Sequence, residues 1–341
     1  MLLSGEADVV IAGGAEALSR FHLNGFNSLL ILDNERCRPF DANRQGLNLG
    51  EGAAYVVLER ADDAASRGAN ILGYVAGWGN RCDAFHPTAT TANGEGAFLA
   101  MSDALSMAGV MPQAIDYINA HGTGTPDNDR SESAALRRVF GEQLPPTSST
   151  KSATGHTTSA SGAIETVICL LAMHNGFIPA NLGWKTNDSE CIAPSSGCEN
   201  TELHKVLCNS FGFGGNDSSL LLSDTAVMLK ETTAVDTQVV AEYEVTDTAV
   251  LIELRQYVSP MEARRMSGMT KAALLSSMKV MEAAQTPTPD AIVVATQWGM
   301  LVQGERMLDH ICSEGEANIS PTLFMQSTHN AIAGGLAIRT K

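Results

Sequence analysis

Apolar and polar positions follow two alternating rhythms through the first two thirds of the chain. Short apolar runs closed by glycine or polar residues predict strands over 8–14, 53–59, 71–78, 115–120, 205–210 and 218–223, with a short extended segment over 146–149. Between them, apolar residues three and four apart predict helices over 61–67, 94–108, 131–140 and 161–175. Ser131 is expected to cap the third of these. The fourth is apolar on nearly every side and should therefore be buried. Strands alternating with helices predict a layered α/β domain, with reactive residues at the carboxyl ends of strands and in glycine turns.

The character of the chain changes after Asp224. Residues 225–247 are richer in Thr, Val and Glu and lack glycine motifs, which predicts a linker. A second unit follows over 248–341. It should hold a strand over 249–254, a helix opened by Ser259-Pro260, a helix over 270–284, a strand over 290–296 (DAIVVAT), a helix over 305–312, and a helix or turn-helix over 324–338. No fixed-period repeat is present.

Composition narrows the function classes. The chain has 341 residues, 44% of them hydrophobic and 18% charged, enough for one large domain or two medium ones. A formal net charge of -16 argues against nucleic acid as a partner, although a local basic patch can still receive an acidic protein. No apolar run approaches membrane-spanning length, and the first residues carry no export signal, so a cytoplasmic protein is expected. The seven cysteines include no CxxC pair and are expected as reduced thiols, without a zinc site.

The candidate chemistry sits in three stretches: Asn119-Ala120-His121-Gly122-Thr123-Gly124-Thr125-Pro126, Ser149-Thr150-Lys151-Ser152-Ala153-Thr154-Gly155-His156, and Asn209-Ser210-Phe211-Gly212-Phe213-Gly214-Gly215-Asn216-Asp217. Two neutral imidazoles can donate N–H groups to one developing enolate oxygen, which suits decarboxylation of a malonyl-type thioester. A lone histidine in a turn is more often structural; two in small-residue turns point to a shared site. Lys151 can orient a histidine or set its charge state. Thr123 and Thr125 can bond an amide-bearing arm, or serve simply as turn residues. Glu165, in an apolar helix, needs a buried partner, for which the Lys151 region or an ordered water or ion is the candidate. Phe211 and Phe213 flank a glycine and can gate a pocket or fill a core. Arg38 and Asp41 can pair across a turn. Gly13-Gly14 lacks the spacing of a dinucleotide loop.

These motifs make residues 5–224 resemble the elongating β-ketoacyl-acyl carrier protein synthases, which have the thiolase-like fold. The matching stretches are GEADVVIAGGAEALS, RPFDANRQGLNLGEGAAYVVLE, NAHGTGTPDND, SSTKSATGH, SGAIE and CNSFGFGGND. The resemblance implies a layered α/β/α architecture and a Cys-His-His site. It implies His121 and His156 as the two histidines, Lys151 as the site lysine, Glu165 as the buried glutamate, Phe213 as the gate, and Thr123 and Thr125 at the phosphopantetheine arm. Asn216-Asp217 departs from the family's Thr-Asn, which should alter loop hydrogen bonding more than chemistry. The family's nucleophilic cysteine precedes the stretch matching Ser4-Gly5-Glu6-Ala7-Asp8, and the role passes to none of the cysteines here.

Residues 248–341 resemble the amino-terminal half of a second, divergent synthase, through Ser259-Pro260-Met261-Glu262-Ala263-Arg264-Arg265, Asp290-Ala291-Ile292-Val293-Val294 and the stretch from Ser320 to Asn330. The expected order is therefore inverted: the carboxyl-terminal part of one synthase (1–224), a linker (225–247), then an amino-terminal segment. His329 and Asn330 are expected as packing or contact residues. The resemblance implies acyltransferase chemistry with an acyl carrier protein as partner, a homodimer or a heterodimer with another synthase, and no cofactor or metal. Without the cysteine segment, condensation is expected to fail in the isolated chain, and slow decarboxylation of a malonyl carrier is the activity left open to it. The alternative is a non-catalytic, chain-length-factor-like partner subunit. A thiolase-type enzyme is disfavoured, because a Gly-Phe-Gly-Gly turn stands where thiolases carry a second cysteine.

Overall fold

A computed structural model describes residues 1–227 and 238–340. Of the predicted linker, residues 228–237 lie outside the described residues, as does Lys341 of the second unit.

Strand β1 (Val9–Glu16) leads to helix α1 (Arg20–Ser28), and β2 (Gly52–Glu59) to α2 (Ala61–Ser66). β1 and β2 pair antiparallel, with Ile11 opposite Val57 and Gly13 opposite Tyr55. Helix α1 escapes the pattern analysis because His22, Asn24 and Gly25 interrupt its apolar face. Its start is set by Ser19, whose side chain accepts from His22 N–H.

The chain continues through β3 (Tyr74–Cys82), α3 (Glu95–Ala108), β4 (Tyr117–Asn119), α4 (Pro126–Phe140), β5 (Thr147–Ser148), α5 (Lys151–Thr154), α6 (Ser161–Asn175), the separate small pair β6 (Phe177–Ile178) and β7 (Cys198–Glu199), then β8 (Lys205–Gly212) and β9 (Asn216–Ser223), which include the strands of the main sheet. Its five strands run in the order β3-β9-β8-β4-β5. β8 and β9 form an antiparallel hairpin, whereas β4 lies parallel to both β8 and β5. Helix α3 covers one face with Ala97, Ala100, Met101, Ala104 and Leu105, a stripe at spacings of three and four. Backbone meets backbone there: a Cβ on Gly79 would lie 2.0 Å from the Ala100 carbonyl, and one on Gly77 2.2 Å from that of Ala104. Helix α6 packs against β8 on one side and β1 and β2 on the other. Contact with both sheets accounts for much of its apolar sequence, but the helix is not buried all round as expected: Ser161, Glu165, Cys169 and Ala172 are buried, whereas Leu171 is half exposed at its far end.

The architecture is the expected thiolase-like layered α/β arrangement, and it is incomplete. The outer face of the β1–β2 ribbon exposes Val9, Ile11, Tyr55 and Val57, with no layer over it among the described residues.

Several boundaries differ from expectation. The helix expected from Ser131 begins at Pro126, with Thr125 at its N-cap and Asp127 and Asp129 in the first turn. Proline at the first position and early acids are start signals, but they precede the apolar rhythm by five residues. Ser131 lies inside the helix and donates to the Thr91 carbonyl at 2.8 Å. The third strand runs Tyr74–Cys82 rather than 71–78, because β9 supplies a pairing partner to its polar end.

The second unit is helical. Residues 249–254 form part of a 3-10 helix (Thr248–Gln256), not a strand. Residues 290–296 are irregular, and Val293 is 93% exposed. β-branched residues favour a pleated surface only when a neighbouring strand completes the ladder, and among the described residues none does. The helices are α7 (Pro260–Arg264), α8 (Gly268–Ala284), α9 (Leu301–Glu314), α10 (Pro321–Ser327) and α11 (Ala331–Thr340). Ser259 and Glu262 form a complete capping box at α7. Phe324 of α10 and Met307 and Ile311 of α9 share a core with Phe26 and Leu47 of the first unit.

Asp217 on β9, where the resembling family carries Asn, is buried beside Asp83 and Glu132, and Oδ2 has no hydrogen-bond partner. Burial first, then those two carboxylates, raise its carboxyl from 3.8 to about 8. The folded state therefore holds a proton that the unfolded chain gives up, and stability falls as pH rises from about 4 towards about 8. Asp217→Asn should remove that slope. In urea titrations across this window, the variant should match the parent at the acid end and be more stable at the alkaline end.

Candidate active site

The site begins at the carboxyl end of β4. Its parallel pairing with β5 and β8 points the chain into the turn that carries His121, with only 4% of that residue exposed. The turn is anchored by one carboxylate. Glu132 of α4 accepts from His121 N–H and Gly122 N–H, each at 2.8 Å. Asp129, one turn earlier, accepts from Phe40 N–H at 2.8 Å and Gly124 N–H at 3.2 Å, and Arg44 lies 3.2 Å from it. Burial raises the Glu132 carboxyl to about 7 even against these donors.

Lys151 opens α5 and is 1% exposed. Its ammonium pairs with Glu165 of α6 and lies 3.3 Å from His121 Nδ1. Glu165 thus has the partner its apolar helix demanded, although burial still pushes its carboxyl up. A lysine ammonium only donates, so His121 Nδ1 is the acceptor and its proton sits on Nε2.

His156 follows α5. Its backbone is tied to the strand-like segment before β2, with His156 N–H donating to the Asn48 carbonyl at 2.7 Å and Gly50 N–H to the His156 carbonyl at 3.1 Å. Gly155 permits this approach: its φ is +71°, and a Cβ would stand 2.8 Å from Gly50. His156 Nδ1 lies 3.0 Å from Ser161 Oγ. The two imidazoles meet edge to face, with centroids 5.4 Å apart. Burial, the Lys151 charge and the neighbouring ring hold His121 well below the ordinary imidazole range, and burial and Lys151 take His156 to about 3. Both rings are neutral at physiological pH.

Aromatic residues line the approach. Phe211 lies 5.7 Å from His121, Phe26 lies 6.5 Å from His156, and Phe213 packs on Phe26 at 6.0 Å. The Thr123 and Thr125 hydroxyls sit 2.8 Å apart, the first buried and the second half-buried. His121, His156, Lys151 and Glu165 therefore form one connected cluster, with Phe213 at its edge and the two threonines on the turn beyond His121.

Four residues of this site were not read from the sequence: Glu132, Asp129, Ser161 and Phe26. Glu132 was within reach, since it falls three and four positions before Ala135 and Leu136 on the buried face of α4. The expected pairing of Arg38 with Asp41 does not form. Arg38 pairs with Glu35 at 2.9 Å and Asp33 at 3.6 Å, while Asp41 accepts from the Lys185 and Thr186 backbones. Backbone donors converging on Asp41 satisfy it better than a side chain fastened elsewhere. Among the described residues, no cluster suited to a metal ion is present.

Glu132→Ala leaves two buried N–H groups without an acceptor and should cost about 3 kcal/mol in urea unfolding. Glu132→Gln, which keeps one acceptor, should cost less. Nitrogen shifts of His121 and His156 should show no protonation between about pH 8 and pH 5, unlike an ordinary histidine. Because unfolding restores proton uptake near the ordinary value, these two rings lower stability as pH falls through that range.

Comparison with known proteins supplies the family. Residues 1–64 match the amino-terminal domain of β-ketoacyl synthases, residues 72–185 their carboxyl-terminal domain, and residues 240–341 a second model of the amino-terminal domain. A mitochondrial 3-oxoacyl-[acyl-carrier-protein] synthase of Arabidopsis thaliana is 39% identical over 238 residues, covering 65% of this chain and 52% of that protein. The chain spans about half the length of the curated relatives it matches. The ishigamide ketosynthase/chain length factor is 39% identical over 65% of this chain and 55% of its own, with a TM-score of 0.62. A PfaC keto synthase-chain length factor, 19% identical, shares the fold over 99% of this chain and 47% of its own, with a TM-score of 0.70. No described helix is long and apolar enough to cross a membrane. With three family matches in succession and a lysine-bound histidine pair at the carboxyl end of the sheet, the chain belongs to the β-ketoacyl synthase family.

Proposed function

We propose that this chain carries the decarboxylating half of a β-ketoacyl-acyl carrier protein synthase, acting on malonyl groups delivered by an acyl carrier protein. One observation carries the reading: two neutral imidazoles meet at 5.4 Å with Nδ1 of each engaged, one by Lys151 and the other beside Ser161. Nε2 is then the nitrogen each ring offers to a substrate. A malonyl thioester carbonyl between two Nε2–H groups has its developing oxyanion stabilised as the bond to the carboxylate breaks. Carbon dioxide leaves, the electron pair becomes the thioester enolate, and a proton from water completes an acetyl thioester. Lys151 keeps both rings neutral, and Glu165 stabilises Lys151. Thr123 and Thr125 bind the phosphopantetheine arm, and Phe213 gates the approach.

Condensation additionally requires an acyl-cysteine. Cys37 Sγ lies 3.4 Å from the Lys151 carbonyl, but burial raises its thiol, and Cys169 and Cys191 are raised in the same way. None is poised as a thiolate. Residues 248–341 act in this reading as the start of a second synthase unit. The alternative, that the chain is a non-catalytic, chain-length-factor-like partner subunit of an active synthase, draws its support from the likeness to the ishigamide ketosynthase/chain length factor. Either pairing, with a second copy or with another synthase, is compatible with the exposed β1–β2 face.

Malonyl-acyl carrier protein incubated with the full chain should release carbon dioxide and yield acetyl carrier, read by mass spectrometry of the carrier. His121→Ala or His156→Ala should lower the rate by about 100-fold. An unchanged rate in either variant removes the site from the reaction, and a stably acylated cysteine on the chain overturns the half-reaction assignment.

A further inference from the structure

The turn between β8 and β9 is tied down by two different parts of the chain. Three ties come from the end of β3 and the segment after it: Gly214 N–H donates to the Pro87 carbonyl at 2.8 Å, Asp83 N–H donates to the Gly215 carbonyl at 3.1 Å, and Cys82 Sγ lies 3.3 Å from the Gly214 carbonyl. The fourth comes from the second unit. The side-chain amide of Asn330, between α10 and α11, donates to the Phe213 carbonyl. Among the described residues it is the donor to that oxygen.

The surroundings make this contact specific. Helix α11 places Gly334 against Gly214, where a Cβ would stand 3.0 Å from the Gly214 Cα. Phe324 of α10 packs on Phe26 at 5.2 Å, and Phe26 in turn touches both Phe213 and His156. Gly214 and Gly215 hold φ of +81° and +73°, so the turn has backbone freedom that other residues lack. The Phe213 end of the turn is thus tied by one side chain from 117 residues away, while Gly214 and Gly215 are tied locally.

We infer that Asn330 is a positioning residue for this turn: its amide latches the Phe213 carbonyl, so the second unit sets how readily an acyl thioester reaches His121 and His156. The inference rests on reading Phe213 as the gate. A released carbonyl is solvated at little cost, so the latch contributes about one hydrogen bond, enough to bias the turn without locking it. Asn330 touches no reacting atom; it acts through Phe213.

The test is the rate at which diethyl pyrocarbonate modifies each histidine of the full chain, resolved by peptide mass spectrometry. Asn330→Ala should speed modification of His121 and His156 about fivefold, the effect of losing one neutral hydrogen bond. Exposed His174 and His204 should be unaffected. Asn330→Asp keeps the volume but turns the donor into an acceptor facing a carbonyl, and it should act in the same direction should the alanine variant fold poorly. Phe213→Ala should also raise the rates, and adding Asn330→Ala to it should change nothing more. If Phe213→Ala alone has no effect, the gate reading fails and the latch with it. If Phe213→Ala acts but both Asn330 variants do not, the gate stands and the latch is overturned. Effects that multiply in the double variant also overturn it, because they assign Asn330 to general packing.

Discussion

A lysine ammonium with 1% of its residue exposed is the constraint on which the site depends. Such a charge cannot stay buried without a partner, and Glu165 supplies it from the middle of α6. The pair fixes α5 against α6, and α6 is the layer between the two sheets. It also decides proton chemistry. Burial already disfavours a second proton on His121 and His156, and the ammonium, 3.3 Å from His121 Nδ1, disfavours it further on both rings. The cation is structural in its effect on packing and electrostatic in its effect on the imidazoles, and neither effect is separable from the other.

Around this centre, carboxylates do the work of holding backbone. Glu132 grips the turn of His121, Asp129 grips the turns of Phe40 and Gly124, Asp41 grips the chain at Lys185, and Glu16 accepts from the Ser159 backbone near His156. Each collects N–H donors from irregular segments that no sheet or helix could satisfy. Small residues let these segments approach; acids fasten them. Part of the chain's large negative charge is therefore internal and committed to geometry, not displayed to a partner.

Much of this was legible in advance. The strand before His121, the apolar helix containing Glu165 and the hairpin around Phe213 follow from short-range rhythm, because burial on one or both sides writes itself into apolar spacing. The start of α4 and the strands expected at 249–254 and 290–296 went astray for a common reason. Proline and acidic residues begin a helix before its buried face does, and β-branched residues make a strand only where another strand lies alongside. Asp217 was read as a change of loop bonding; three-dimensional packing makes it a buried acid among acids, raised to about 8.

By itself the sequence determined the candidate site residues and the elements that deliver them, since a histidine, a lysine and a glutamate can be named from local spacing and from the need of a buried charge for a partner. It could not determine that the two rings meet edge to face, that Glu132 reaches back eleven residues to hold one of them, or that Asn330 reaches from the second unit to the Phe213 turn. Those are relations between elements distant along the chain. Only tertiary packing brings them within the few ångströms over which hydrogen bonds and charge–charge effects act.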